Sequence, residues 1–462
     1  MPNPFLVPRD LIAKYNTKGP RYTSYPTAPE WRESFGDEEA LAVFAENDRE
    51  RRDVPLSLYV HVPFCVKLCY YCGCNKIITQ NTEIVDRYVA ALDREVARVA
   101  GQLSGDRRVV QIHWGGGTPT HLSPDQIRRV YGSLSSRFTL DPEAEISIEV
   151  HPTVTSFEHL ATLRDLGFNR LSMGVQDFDP EVQQAVNRLQ TYELTRALIV
   201  EARRIGFRSV NVDLMYGLPL QSVEKFTQTL AKIHSLAPDR IALFNYAHMP
   251  HSLPGQRLIP DASIPSADVK LDLFELAIDS FVQAGYRYIG MDHFAHPDNE
   301  LATALDDRTL RRNFMGYTTM ADSDLVSFGV SSISELDTVY IQNHKNIKEY
   351  FAATEADRLP AQRGMRLTED DRLRRDVINR LICHCYLDKS EIERLHGIDF
   401  DATFAMELAE LVPLAEDGLI VLNARSLEVT ARGQMLLRNI CMPFDAYLRR
   451  TAPEDRKFSR TV

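Results

Sequence analysis

Cys65-Val-Lys-Leu-Cys69-Tyr-Tyr-Cys72 is a C-x3-C-x2-C run, and four of the chain's seven cysteines fall between Cys65 and Cys74. A disulfide scaffold spreads more cysteines through a shorter chain, so this clustering points to a metal or redox site. Three thiolates on one loop hold three irons of a 4Fe-4S cubane and leave the fourth iron open. S-adenosylmethionine (SAM) fills such a vacancy through its amino and carboxylate groups. One electron then cleaves the sulfonium to methionine and a 5'-deoxyadenosyl radical, which takes an unactivated hydrogen as no side chain does. The alternative is a structural zinc completed by Cys74 or His61, but the spacing does not match paired C-x2-C knuckles.

His113-Trp114-Gly115-Gly116-Gly117-Thr118-Pro119 comes next. Residues without Cβ atoms let backbone amides and carbonyls approach a polar ligand, although a tight turn has the same requirement. Polar groups recur at Glu149, Gln176, Asp213 and Tyr246 to His248, at or near the ends of short apolar runs. One such group alone is ordinary; several converging from strand ends build a pocket. Cys383-His384-Cys385 differs, because C-x-C spacing on a helix sends the thiols to divergent faces and predicts core packing rather than metal binding.

Positioning these residues requires a regular frame. Apolar runs of strand length at Leu56–Val62, Val109–Trp114, Glu145–Val150, Arg170–Val175, Val210–Tyr216 and Ile241–Tyr246 alternate with amphipathic segments. Val85, Tyr88, Val89, Leu92, Val96 and Val99 form one helical stripe, and Ser123-Pro124-Asp125-Gln126 marks a helix start with a capping box. This alternation predicts a parallel sheet with right-handed crossovers, closed into a full or partial TIM-like β/α barrel. The cysteine loop then lies at the C-terminal edge of the first strand, where barrels build active sites. An open doubly wound sheet is the alternative. After Ile333 the strand pattern fades, and from about Leu367 the sequence turns helical, with Leu373, Val377, Ile378, Leu381, Ile382 and Cys385 on one face. The expected organisation is an N-terminal arm (1–50), a barrel (51–350) and a mostly helical, winged-helix-like C-terminal domain (360–462).

At 44% hydrophobic and 25% charged residues the composition is that of a globular protein. The net charge of -11 argues against a nucleic-acid binder while leaving room for a small basic pocket that takes an acidic substrate. Acidic and basic residues nearly balance after Pro360, so the winged-helix-like end lacks the charge for DNA. The N-terminus has no apolar core with a cleavage site, and no stretch nears the ~20 apolar residues of a membrane span. The protein is expected to be cytoplasmic.

GPRYTSYPTA, LYVHVPFCVKLCYYCGCNK, HWGGGTPT, EISIEV, FNRLSMGVQDF, VNVDLMYGLP, FNYAHMP, YIGMDHFA, NFMGYTT, GVSSIS and LRNICM together resemble the oxygen-independent coproporphyrinogen III oxidases, radical SAM enzymes of haem biosynthesis. The likeness spans nearly the whole chain. It implies a radical-SAM barrel with an arm and a helical C-terminal domain, a cluster on Cys65, Cys69 and Cys72, and two SAM molecules. Carried onto matching positions, the cluster-bound SAM meets Tyr59, Gly116, Glu149 and Ile333. The second meets Tyr71, Gly117, Thr118, Gln176, Arg188, Asp213 and Ala247. Tyr71 departs from the phenylalanine common in the family; it keeps the ring and adds a hydroxyl that needs a polar neighbour. Cys74 and His61 are the candidate catalytic side chains, with Cys74 positioning the second SAM or handling the substrate radical.

The implied reaction converts two propionates of coproporphyrinogen III to vinyl groups, giving protoporphyrinogen IX. It requires an electron donor to the cluster and involves no nucleic acid or membrane span, and the protein is expected to be a monomer. A haem-carrying chaperone of the same superfamily is the competing reading. Those relatives lack the Cys72-Gly73-Cys74 extension and generally the long arm, both of which this chain has.

Overall fold

The computed structural model describes residues 4–32, 34–452, 456 and 458–461. They fall into two compact units: one comprises 32–276 and 322–365, the other 1–31, 277–321 and 366–462, within those described residues.

The first unit is built on a parallel sheet. Its strands are β1 Leu56–Val62, β2 Arg108–Gly116, β3 Thr139–Val150, β4 Arg170–Gln176, β5 Ser209–Tyr216, β6 Arg240–Asn245, β7 Asp324–Phe328, β8 Ile333–Leu336, β9 Val339–Asn343 and β10 Ala361–Arg366. They lie in the order β10-β9-β8-β7-β1-β2-β3-β4-β5-β6. From β1 to β6 neighbours follow chain order and pair in parallel. A doubly wound sheet reverses its order at a switch point; this sequential winding keeps the helices on one side and curves the sheet into a partial barrel. Helices Thr82–Ala100 and Pro124–Ser135 supply the first crossovers. The former buries the whole predicted stripe, and the latter starts with the predicted Ser123/Gln126 capping box.

β7 pairs in parallel with the other edge of β1, whereas β8 and β9 continue antiparallel. These strands past Ile333 were not expected. They are short, and β9 is buried at every position, so they lack the two-residue alternation that marks a strand in sequence.

Two buried polar knots fix this edge. Arg107 donates to Asp324 Oδ2 and to Asn47 Oδ1, each at 2.8 Å, and to Val54 O at 3.0 Å. Glu95, on the Thr82–Ala100 helix, accepts from Gly329 N at 2.9 Å and from Asn343 Nδ2 and Tyr350 OH, both at 2.6 Å. It thereby holds the turn that leads into β8.

In the second unit the first part of the N-terminal arm, up to Trp31, packs on the C-terminal segment. Arg438 donates to the carbonyls of Gly19, Pro20 and Arg460, Asn439 donates to Tyr15 O, and Tyr22 OH donates to Asp445. In the winged-helix-like end a hairpin forms between Ile420–Leu422 and Ser426–Val429, and Tyr386–Asp388 joins as a third strand. Leu373, Val377, Ile378, Leu381 and Ile382 are buried on helix Glu369–His384 as expected. Cys385 is not on that helical face: at φ 54° it caps the helix in the left-handed conformation, and its carbonyl accepts from Val429 N. Cys383 is fully buried, so the C-x-C pair is divided between core and cap. Among the described residues no helix is long and apolar enough to cross a membrane.

Burial pushes the Glu95 carboxyl from 4.5 up to about 7, outweighing the three hydrogen bonds it accepts. The folded state therefore keeps a proton that the unfolded chain releases. The associated stability is fully present below about 4.5 and is lost as pH rises through about 7, a swing of about 3 kcal/mol. Glu95→Gln removes this titration. Its melting temperature, followed by calorimetry in matched buffers, should lack the wild-type decline across that window; equal declines would assign the effect to another group.

Candidate active site

The cysteine loop leaves β1 and is held chiefly through its own carbonyls. Asn187 Nδ2 donates to Leu68 O at 2.8 Å, Lys76 Nζ to Cys72 O at 2.8 Å and Cys74 O at 3.3 Å, and Gln256 Nε2 to Tyr71 O at 3.1 Å. Tyr70 N donates to Val186 O, and Tyr70 and Tyr71 pack on Val182, Val186, Leu218, Tyr246 and Ile259. With the backbone fixed, the thiols stay half-exposed: Cys65, Cys69 and Cys72 are neither buried nor fully open, and Cys74 is exposed. Thr118 Oγ1 lies 3.5 Å from Cys65 Sγ, and Arg188 Nη1 donates to Cys69 Sγ at 3.6 Å. A hydrogen bond from Cys74 brings the Cys72 thiol down to about 6, while the same contact raises Cys74. Cys72 is thus the thiolate of that pair. No three His, Cys, Asp or Glu side chains among the described residues are grouped to hold a single ion. A cubane makes a different demand, one thiolate on each of three irons, and this loop offers that donor set.

The glycine run ends β2 against this loop. Gly117 N donates to Val62 O at 2.8 Å and Thr118 N to Phe64 O at 2.9 Å. A Cβ at Gly117 would sit 2.6 Å from Pro63 O, and one at Gly116, whose φ is +118°, would sit 2.7 Å from the His61 ring. The backbone approach inferred from sequence is therefore real, and it begins with protein on protein.

On β1 to β5 the half-buried polar residues share one face and meet laterally. Tyr59, His113 and Ser147 are in register, as are Glu149, Ser172 and Asn211. Tyr59 stacks on His113 with ring centroids 5.9 Å apart, and His113 Nδ1 lies 2.8 Å from Ser147 Oγ. Glu149 accepts from Gly116 N at 3.1 Å, with His113 Nε2 at 3.4 Å. Asp213 accepts from Asn211 Nδ2 at 2.7 Å and Ser172 Oγ at 3.2 Å. His61 lies beside this belt with both ring nitrogens engaged. Asn75 O can only accept, so Nε2 carries the proton and Nδ1 accepts from Tyr59 OH. Burial lowers the His61 pKa, keeping the ring neutral.

Gln176 and Arg188, the latter bonded to Cys69 Sγ, both lie over Gly174. Gln176 sits at φ +69°, beyond a register shift at the end of β4 that turns its side chain. Arg188 is buried, and Nη2 donates to Gly174 O, a position whose missing Cβ leaves room for the guanidinium. Buried Gln176 Oε1 and Arg188 Nε have no hydrogen-bond partner. Buried polar atoms are rarely left so, and a polar ligand at this face would satisfy them. Tyr71 is half-buried against its apolar neighbours, desolvation raises its phenol, and His151 is pushed down to about 3 by burial and by the Arg188 charge. Ala247 O accepts from Gln256 Nε2 at 3.1 Å, and Ile333 opens β8 half-buried.

The predicted site residues thus lie on the cysteine loop, within or at the ends of the sheet strands, or on the segments that follow them, with Tyr59 and Asp213 inside β1 and β5 rather than at their ends. Sequence reasoning missed the supporting Lys76, Asn187 and Gln256. Lys76 had a signal, two residues past Cys74; Gln256 lies in a stretch with no periodicity.

A radical SAM superfamily model matches residues 59–233, and a HemN C-terminal domain model matches 367–436. Curated relatives are the oxygen-independent coproporphyrinogen III oxidases of Salmonella typhimurium, 51% identical over 98% of both chains, and of Pseudomonas aeruginosa, 46% identical over 98% of both. Among solved structures, coproporphyrinogen III oxidase (HemN) from Escherichia coli, described as a radical SAM enzyme, is similar at TM-score 0.90 and 48% identity, covering 96% of this chain and 100% of that one.

Gly117→Ala tests the contact between the two loops. The added methyl meets backbone carbonyls that cannot turn aside, a clash costing about 1–3 kcal/mol. The melting temperature should fall by several degrees, with protease cleavage appearing within 63–76; an unchanged melt would mean the loops separate freely.

Proposed function

This chain belongs to the oxygen-independent coproporphyrinogen III oxidases of the radical SAM superfamily, and from that premise we propose how its site performs the oxidative decarboxylation of coproporphyrinogen III to protoporphyrinogen IX. The observation that carries the reading is the seating of the cysteine loop on Gly116 to Thr118, which places three thiols at the end of the polar belt.

Cys65, Cys69 and Cys72 would hold the 4Fe-4S cluster. When bound there, cluster and SAM together supply a 5'-deoxyadenosyl radical that takes a hydrogen atom from the β-carbon of a propionate, after which carbon dioxide and one electron leave and a vinyl group remains. Glu149 would accept from the ammonium of the SAM at the cluster, with Tyr59, Gly116 and Ile333 as the other residues for that SAM. Two SAM molecules are part of this proposal. Tyr71, Gly117, Thr118, Gln176, Arg188, Asp213 and Ala247 receive the second, where Asp213 suits ribose hydroxyls and the Tyr71 ring suits adenine or a sulfonium. The unpartnered Gln176 and Arg188 atoms support a ligand at this place. His61, buried and neutral, acts by holding Asn75 and Tyr59 in position. Cys74 lies two residues beyond the third ligand with its proton retained, and acts on the second SAM or on the substrate radical.

In the same reading 51–350 carries the chemistry, flanked in sequence by the arm 1–50 and the C-terminal domain 360–462. A cytoplasmic electron donor reduces the cluster, and the protein works as a monomer.

Anaerobic turnover with SAM, a reductant and coproporphyrinogen III should give 5'-deoxyadenosine and divinyl product from protein carrying about four irons. Cys69→Ser should lose the iron. Asp213→Ala and Cys74→Ser should keep cluster absorbance while product formation falls by an order of magnitude or more. Stoichiometric zinc in place of iron, or full turnover by both variants, would overturn the assignments.

A further inference from the structure

The sheet opens at one place beside the cysteine loop. β1 and β7 pair in parallel from Leu56 with Asp324 to Val60 with Phe328, whereas on its other side β1 stays with β2 as far as Val62 with Gly116. The next rung between β1 and β7 would join the amide of Val330 to the carbonyl of His61. Both groups bond instead to one side chain: Tyr88 OH donates to His61 O at 2.7 Å and accepts from Val330 N at 3.0 Å. A phenol oxygen thus stands in the ladder as a spacer, joining the two segments while holding them apart. Room for it exists because residue 329 is glycine; at its φ of +101° a Cβ would run into both Tyr88 OH and His61 O.

Tyr88 is built into that position. It is fully buried on helix Thr82–Ala100, with its ring centroid 5.2 Å from that of Phe64, edge to face, and 5.4 Å from that of Tyr350. Phe64 immediately precedes Cys65, so the ring touches the start of the cysteine loop and the hydroxyl touches the strand that carries it. Burial raises the phenol, and the proton stays on the oxygen to be donated. Across the gap the turn is stiff. Gly329 N donates at 2.9 Å to Glu95, on the same face of the helix as Tyr88, and Gly329 O accepts from Ser332 Oγ at 2.8 Å and Asn343 Nδ2 at 2.9 Å. Ser331 N donates to His344 O at 2.8 Å. A displacement of Val330 therefore passes to Ile333, where β8 begins. All of these residues belong to the first unit.

We infer that Tyr88 is a positioning residue: its hydroxyl sets the separation between the cysteine loop and Ile333, and with it the fit of the SAM at the cluster. The inference rests on the proposed reading, which gives both segments to that SAM. It needs no contact between Tyr88 and the cofactor, because the side chain acts through the backbone of His61 and Val330.

The test uses the full-length protein under anaerobic conditions with its cluster reconstituted and reduced. SAM is titrated against the electron paramagnetic resonance signal of the cluster, and coproporphyrin III against porphyrin fluorescence. Tyr88→Phe keeps the ring and removes the spacer. It should retain wild-type iron and porphyrin affinity, bind SAM at the cluster roughly 10-fold more weakly, the scale of one buried hydrogen bond lost, and raise the KM for SAM far more than it lowers kcat. Tyr88→4-aminophenylalanine, which keeps an N–H for His61 O, should recover most of the affinity. Asn47→Ala is the control for lost stability, since Asn47 Nδ2 donates at 3.0 Å to Asp324 at the far end of the same strand pair; its SAM affinity should stay near wild type. In wild type, SAM should slow amide exchange at Val330 to Ser332, a readout that stands even if Tyr88→Phe does not fold. Unchanged SAM affinity in folded Tyr88→Phe would overturn the inference, as would an exchange rate at the turn indifferent to SAM. Loss of the cluster, equal weakening of SAM and porphyrin, or the same SAM loss in Asn47→Ala would also overturn it, each marking a framework role. If the wild-type cluster signal ignores SAM, the proposed reading fails and this inference with it, whereas a wild-type response with an indifferent Tyr88→Phe fails this inference alone.

Discussion

The site depends on one close contact, the backbone of Gly116 to Thr118 lying on the backbone of Val62 to Phe64. The loop packs Tyr70 and Tyr71 on an apolar cluster, but its start at Val62 to Phe64 needs an anchor of its own. Two amide-to-carbonyl bonds supply it, and they form only because no Cβ intervenes at Gly117. The contact joins the ends of two adjacent parallel strands, so the position of the thiols is inherited from the sheet register. Residues farther out, Asn187, Lys76 and Gln256, then fix the rest of the loop through its carbonyls. The sulfur atoms are thereby left for other partners.

The polar belt across β1 to β5 follows from the same parallel register. In a parallel sheet, residues at matched positions on adjacent strands project to one face, so Tyr59, His113 and Ser147 form one row and Glu149, Ser172 and Asn211 another. Their hydrogen bonds run across strands and tie each side chain to a neighbour. Glu149 spans the belt and the glycine loop by accepting from Gly116 N. A displacement of that loop would move both the thiols and the carboxylate, which makes the two halves of the candidate site one mechanical object.

How legible these features were depended on local pattern. The six parallel strands and the Ser123/Gln126 cap were readable because alternation with amphipathic helices and a capping box are properties of neighbouring residues. The strands after Ile333 were not: full burial of β9 erases its period-two signal, and β8 is only four residues long. Cys385 looked like part of a helical stripe, yet no spacing rule signals the left-handed turn that makes it a cap. Glu95 reads as a surface residue of an amphipathic helix. Its burial follows from Gly329, Asn343 and Tyr350, all more than two hundred residues away. Cys65, Cys69, Cys72 and the glycine run were conspicuous in sequence, Glu149, Gln176 and Asp213 stood out near the ends of apolar runs, and Tyr59, Tyr71, Arg188, Ala247 and Ile333 came from the resemblance.

Buried polar groups divide into two kinds here. Glu95 and Arg107 are enclosed with every main interaction made internally, and they act as fasteners. Gln176 and Arg188 are enclosed with donors or acceptors left over. Leaving such atoms unpaired works against folding, so a chain under selection for stability alone would replace them with apolar residues of similar volume. Arg188 shows how the two conditions coexist in one side chain: Nη2 is spent on Gly174 O and Nη1 on Cys69 Sγ, while Nε stays open. The bonds already made fix the guanidinium plane, and that plane fixes the direction of the remaining donor. A partly satisfied arginine is therefore pre-aimed, and the ordering of its side chain is completed in folding rather than on ligand binding.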